Sequence, residues 1–186
     1  MYHREKMDKI EYAIYYATKA HKGQRRKQED IDMIFHPFTV GMILQRNGCD
    51  ENTVAAGILH DVVEDTRHTF EDVEKEFGKE VKDYVYDASE PDKTLPWKER
   101  KIHTIEHIKT APLNSKLIVA SDKISNLEDA LENIRKYGED KVLSRNPEEQ
   151  KWYYTNVYKS CIENTDKNHP IFVRYKEILN KIWKEN

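Results

Sequence analysis

The chain holds a set of ionisable residues suited to a divalent metal ion: His36, the adjacent pair His60-Asp61, the acid pair Glu64-Asp65 and, far along, Asp122. Two imidazoles and two carboxylates suit borderline-hard ions such as Mn²⁺, Fe²⁺ or Zn²⁺ and leave coordination positions open for water and a phosphate oxygen. Four of these residues end one helical stretch that begins at Thr53. At about 100° per residue, His60, Asp61, Glu64 and Asp65 fall within an arc of roughly 140°, with Val62 and Val63 turned toward the core. The first half, Thr53-Val54-Ala55-Ala56-Gly57-Ile58-Leu59, is apolar on nearly every face, which marks a helix buried on all sides. Carboxylates ending such a helix are costly unless paired or bound to a cation, and crowding raises their pKa values. A divalent ion relieves both problems. The other reading is a helix end fraying into solvent with ordinary surface acids. His36 reads equally as a cap before Pro37, and Asp122 as a partner of Lys123 or Arg135 on a wet face.

The elements that must carry these residues read as helices throughout, with almost no strand alternation. Met7 to Ala20 gives a first helix that stops near Gly23, followed by the basic loop Lys22 to Gln28. A second helix starts at Ile34-Phe35-His36-Pro37-Phe38, with Pro37 at its first position and His36 at or beside the N-cap, and ends at Asn47-Gly48. The central helix is capped between Asp50 and Asn52. Thr69 with Asp72 resembles a capping box for a short helix ending near Phe77-Gly78. Further helices are expected over Lys79 to Ala88, Trp97 to about Lys109, Ser115 to about Ile134, Pro147 to about Asn164 and Ile171 to Lys184. The architecture expected is all-α: a single-domain helical bundle over 1–186, with core motifs in about 12–130 and C-terminal helices in about 147–184.

Composition narrows the class. At 186 residues the chain is long enough to bury a proper core. Its mean hydropathy of -0.91 and net charge of -3 come from interspersed charges, which give no global attraction to nucleic acid or anionic membrane. No run of about 18 apolar residues predicts a membrane span, and the N-terminus lacks a signal-peptide core. Cys49 and Cys161, far apart, read as free thiols of a reducing cytoplasm. A cytoplasmic location is the expectation.

The order His … His-Asp … Asp resembles that of the HD-domain metal-dependent phosphohydrolases. More specific are Ala20-His21-Lys22-Gly23-Gln24-Arg25-Arg26-Lys27, His36-Pro37, Ala56 to Thr66, Phe77-Gly78, Trp97-Lys98-Glu99-Arg100-Lys101 and Ala120-Ser121-Asp122-Lys123-Ile124-Ser125-Asn126-Leu127. These words resemble the hydrolase domain of the RelA/SpoT family, in its small stand-alone alarmone hydrolases. The likeness is strong over about Tyr12 to Leu127 and weaker at Gln150-Lys151-Trp152-Tyr153-Tyr154, and a synthetase domain is not expected.

The resemblance implies removal of the 3′-pyrophosphate from guanosine tetra- or pentaphosphate, usually with Mn²⁺. It implies His36, His60, Asp61 and Asp122 as metal ligands and Glu64 and Asp65 as the catalytic acids. It also implies Arg25, Arg26 or Lys27 beside the nucleotide and Asn126 on the substrate side. A polyphosphorylated guanine nucleotide needs a local positive surface on a mildly acidic protein. Arg25, Arg26 and Lys27, with Lys98, Arg100 and Lys101, can supply it. Lys98 and Lys101 read equally as a solvated face. Tyr154 is read as core or as pocket lining, and His3, His21, His68, His103, His107 and His169 as surface or packing.

Two departures from the family pattern stand out: Ser121 replaces an alanine, which should affect only packing, and the loop from Ser89 to Pro96 differs near Glu90-Pro91. Competing readings are an HD phosphohydrolase for another nucleotide (a nucleoside monophosphate, a cyclic nucleotide or the 2′-phosphate of NADPH) and a catalytically silent nucleotide-sensing domain. Degenerate sensing domains generally lose ligands, whereas all are present here. The basic loop also lacks the interleaved aromatics of a single-strand groove, which argues against nucleic acid.

Overall fold

A helix with apolar residues on every face needs neighbours on every side. The fold is that of a computed structural model, which describes residues 7–26, 31–90, 93–138 and 146–183. It is all-α; among the described residues the one β feature is an isolated bridge between Arg25 and Asp32. Backbone packing divides the chain into two compact units, Met1–Ser89 and Glu90–Asn186.

In the first unit, α1 spans Lys9–Ala20, α2 Phe35–Arg46, α3 Glu51–Leu59, α4 Val62–Asp65, α5 Phe70–Phe77 and α6 Lys79–Ala88. The fully apolar helix is α3, and α1, α2 and α6 all pack on it. Thr53 through Leu59 are accordingly buried without a break. Asp50 caps α3 by accepting hydrogen bonds from the Thr53 amide and hydroxyl, both at 2.9 Å. The expected capping box at Thr69 and Asp72 starts α5, and Gly78, at φ 91°, ends it. A second capping box, Asp8 with Glu11, starts α1.

Helices α2 and α3 approach closely at two glycines. A Cβ on Gly41 would lie 2.5 Å from Ile58 Cγ1, and one on Gly57 would lie 2.3 Å from Leu44 Cδ1. Each glycine faces a large side chain of the other helix, and this crossing positions His36 and His60.

Two expectations are corrected here. His36 is not a cap: the N-cap is Ile34, and His36 and Pro37 lie inside the first turn of α2, both buried. Pro37 is tolerated there because first-turn N–H groups have no intrahelical acceptor. The central stretch is also not one helix. It breaks at His60-Asp61 before α4 resumes, because the His60 side chain takes the Gly57 carbonyl that the helical ladder offers to the Asp61 N–H. Val62 is fully buried, whereas Val63 is only half-buried.

In the second unit, α7 spans Trp97–Thr110, α8 Leu113–Tyr137, α9 Pro147–Ile162 and α10 Pro170–Ile182. Helix α9 packs on α7, α8 and α10, and α10 packs on α8. Proline opens both α9 and α10, behind Asn146 and His169 as side-chain caps. Ile118, Ile124, Leu127, Val157, Phe172 and Tyr175 fill the core. Arg174 grips Glu128 through two nitrogens, joining α10 to α8. Among the described residues, no helix is long and apolar enough to cross a membrane.

Candidate metal centre and phosphate-binding surfaces

His36 comes from the first turn of α2, and His60 and Asp61 from the turn between α3 and α4. The His36 and His60 rings lie 5.2 Å apart at 69°. Between them stands the Asp61 carboxylate, with Oδ1 3.2 Å from His60 Nε2 and Oδ2 3.7 Å from His36 Nε2. All three side chains are largely out of water, at 3% for His36, 4% for His60 and 16% for Asp61. His60 Nδ1 donates to the Gly57 carbonyl at 2.8 Å, which leaves Nε2 as the candidate ligand atom. Two imidazole nitrogens converging on one half-buried carboxylate fit a divalent cation.

The acid pair is carried by α4. Glu64 is half-buried and Asp65 is exposed. The Asp65 carbonyl accepts a 2.7 Å hydrogen bond from Gln24 Nε2, and Gln24 Oε1 is held by His21 Nδ1 at 2.8 Å. His21, 2% exposed, thus orients Gln24, which ties the basic loop to the acidic turn. Sequence reasoning missed both roles. The available signal was a histidine closing α1 three residues before a glutamine.

The basic loop folds back on itself. The Arg26 N–H donates to the Ile31 carbonyl at 3.0 Å and the Met33 N–H to the Gln24 carbonyl at 2.9 Å. Arg25 is exposed and paired with Asp32 at 2.9 Å; Arg26 is half-buried, and Lys27 lies outside the described residues.

In the second unit, Asp122 is buried on α8, with Oδ2 2.5 Å from Lys123 Nζ and Oδ1 accepting from Asn126 Nδ2 at 2.6 Å. The pairing with Lys123 is therefore made in a buried setting rather than on a wet face. Burial alone would lower the Lys123 pKa, but the Asp122 carboxylate and the tyrosines beside it hold it well above the ordinary lysine value. Burial, opposed by Lys123, pushes the Tyr153 hydroxyl up to about 12. Tyr154 stacks on Trp183 at 5.9 Å and is half-buried. Lys98 is exposed over Trp152, 5.8 Å from the ring centroid, whereas Arg100 and Lys101 are both engaged by Glu90.

An all-helical chain with this histidine–aspartate turn has the features of one class, and the family comparison agrees. The chain belongs to the HD domain family, whose model matches residues 13–141. It is 42% identical over 120 residues to the guanosine-3′,5′-bis(diphosphate) 3′-pyrophosphohydrolase MESH1 of Xenopus tropicalis, over 63% of this chain and 66% of that protein. The match thus spans just under two thirds of the relative's length. Among solved structures, a metazoan ortholog of SpoT that hydrolyses ppGpp superposes with a TM-score of 0.79 at 30% identity, over 97% of each chain. A protein of Listeria monocytogenes EGD-e superposes with a TM-score of 0.75 at 36% identity, over 81% of this chain and 99% of that one.

Proposed function

We propose that this protein is a cytoplasmic, metal-dependent hydrolase that removes the 3′-pyrophosphate from guanosine tetra- or pentaphosphate, giving GDP or GTP and pyrophosphate. The observation that carries the reading is the convergence of His36 and His60 on Asp61, in a chain whose relatives include named ppGpp hydrolases.

His36, His60, Asp61 and Asp122 would hold the ion, with Mn²⁺ taken from the likeness to the alarmone hydrolases rather than from donor preference. When bound, it offsets phosphate charge and makes water more acidic. Asn126 and Lys123 fix the Asp122 carboxylate. Glu64, one turn after His60, accepts the proton of the attacking water, and Asp65 assists it. The water oxygen bonds to the phosphorus carried by the ribose 3′-oxygen, the P–O3′ bond breaks, and the 3′-oxygen takes up a proton as pyrophosphate leaves. Arg25, Arg26 and Lys27, with Lys98, Arg100 and Lys101, receive the phosphates, and Tyr154 offers a face to the base.

Incubation with guanosine tetraphosphate, with Mn²⁺ or with chelator, tests this. Pyrophosphate release that requires metal and is lost in His60→Ala and Glu64→Ala is the expected result. Metal-loaded protein that leaves the alarmone intact while cleaving NADPH or a nucleoside monophosphate would overturn the substrate.

A further inference from the structure

Glu90 follows α6 closely and opens the second unit. Each of its carboxylate oxygens is taken by a cation, Oε2 by Arg100 Nη1 and Oε1 by Lys101 Nζ. The three side chains are only 12% (Glu90), 19% (Arg100) and 15% (Lys101) exposed. Lys101 also lies over the Tyr153 ring, 4.5 Å from its centroid, and Lys123 over the same ring at 5.5 Å. Tyr153 is itself buried, so one aromatic wall fixes two ammonium groups. Arg100 Nε is buried without a hydrogen-bond partner, a guanidinium donor left over after Glu90 has been bound. Glu90 gives each cation a single oxygen, fewer acceptors than the pair has donors. An acceptor with more charge and more oxygens than a carboxylate matches the pair better.

We propose that Glu90 is a specificity-determining internal anion, which occupies the phosphate-receiving pair Arg100 and Lys101 until a pyrophosphate group displaces it. The ligand class rests on the alarmone reading above; the carboxylate's grip on the two cations does not. A single phosphate that replaces Glu90 exchanges one anion for another at the same cations and gains little. A pyrophosphate spans both cations and adds acceptors for the remaining guanidinium donor. The internal anion thus sets a threshold that rejects weakly charged ligands.

Glu90→Gln keeps the shape and removes the charge. Inorganic pyrophosphate and, separately, inorganic phosphate are titrated calorimetrically into the full chain and into the variant. The expected result is binding of both anions tightened by about threefold to tenfold, since each must displace the same carboxylate. The fall of affinity with salt should also steepen, because more counterions are released from the cations. Adding Lys101→Ala to the variant should cancel the gain. Unchanged or weaker binding of both anions in Glu90→Gln, repeated in Glu90→Ser, would overturn the proposal and leave Glu90 a scaffold for the two cations. Alarmone turnover by the unaltered chain is measured alongside. Its absence would sink the substrate reading, while the titrations still decide the role of Glu90.

Discussion

The Nδ1 atom of His60 lies 2.8 Å from the carbonyl oxygen of Gly57, one helical turn earlier on the same stretch. That single bond fixes the ring's orientation and tautomer, breaks the helix at His60-Asp61, and turns Nε2 toward Asp61 as the candidate ligand atom. Loss of an orienting partner typically costs ten- to a hundredfold in metal affinity. Loss of the ligand itself should cost more. His60→Ala is expected to lower Mn²⁺ affinity by well over ~100-fold by competition with a fluorescent chelator. A near-normal affinity would remove His60 from the ligand set.

Gly57 has a second role in packing. Its missing Cβ admits Leu44, a fully buried side chain. Gly57→Ala should destabilise the protein by about 1–3 kcal/mol through overpacking, a fall in Tm of roughly 3–10 °C. Trimming the neighbour, in Gly57→Ala with Leu44→Val, should recover part of the loss relative to Leu44→Val alone. Strict additivity of the two changes would argue against a direct clash.

Ser121 offers a test of opposite sign. It is fully buried beside Asp122, and its hydroxyl has no hydrogen-bond partner. An unsatisfied buried hydroxyl is unfavourable, and alanine is the better helix former. Ser121→Ala is therefore expected to stabilise the chain by about 1 kcal/mol, read as a shift of the urea midpoint at constant slope. A destabilised variant would show that the hydroxyl is satisfied in solution.

His169 links stability to pH. Its Nδ1 accepts the Ile171 N–H at 3.3 Å as the cap of α10, a role that the protonated ring cannot fill. Burial lowers its pKa below the ordinary histidine value, against the opposing pull of Asp166. As pH falls through about 6.5 the unfolded chain takes up this proton more readily than the folded one. Stability is therefore lost progressively down to the depressed folded value and levels off below it. Urea midpoints at pH 7.5 and 5.5 should fall further apart in the natural chain than in His169→Asn, which caps without titrating. Equal differences would show that the cap does not sense pH in this range.

How much of this could be read beforehand follows the range of the interactions. The burial of α3 was legible because its residues are apolar on every side, and the caps at Asp50 and Thr69 because capping is a local pattern. The break at His60 was not, since it arises from a side chain competing for a backbone carbonyl, which periodicity does not register. His36 moved from cap to first turn because α2 begins at Phe35, two residues before Pro37. Gly41 and Gly57 read only as weak points in helices, and their use appears when a second helix is brought against them. The histidines and carboxylates of the candidate metal centre were singled out by their chemistry rather than by periodicity. The grip of Glu90 on Arg100 and Lys101 was not, because loop residues give no periodic signal of where they fold.

The glycine crossing of α2 and α3 has a consequence for how this chain can drift through sequence space. Position 41 can grow only if position 58 shrinks, and position 57 only if position 44 does, so neither pair can change comfortably one step at a time. Because the same crossing holds His36 and His60, a lineage that repacked it would carry its donor atoms along. Paired substitutions at these four positions in distant homologues would then mark the lineages in which the spacing of the two histidines had been renegotiated.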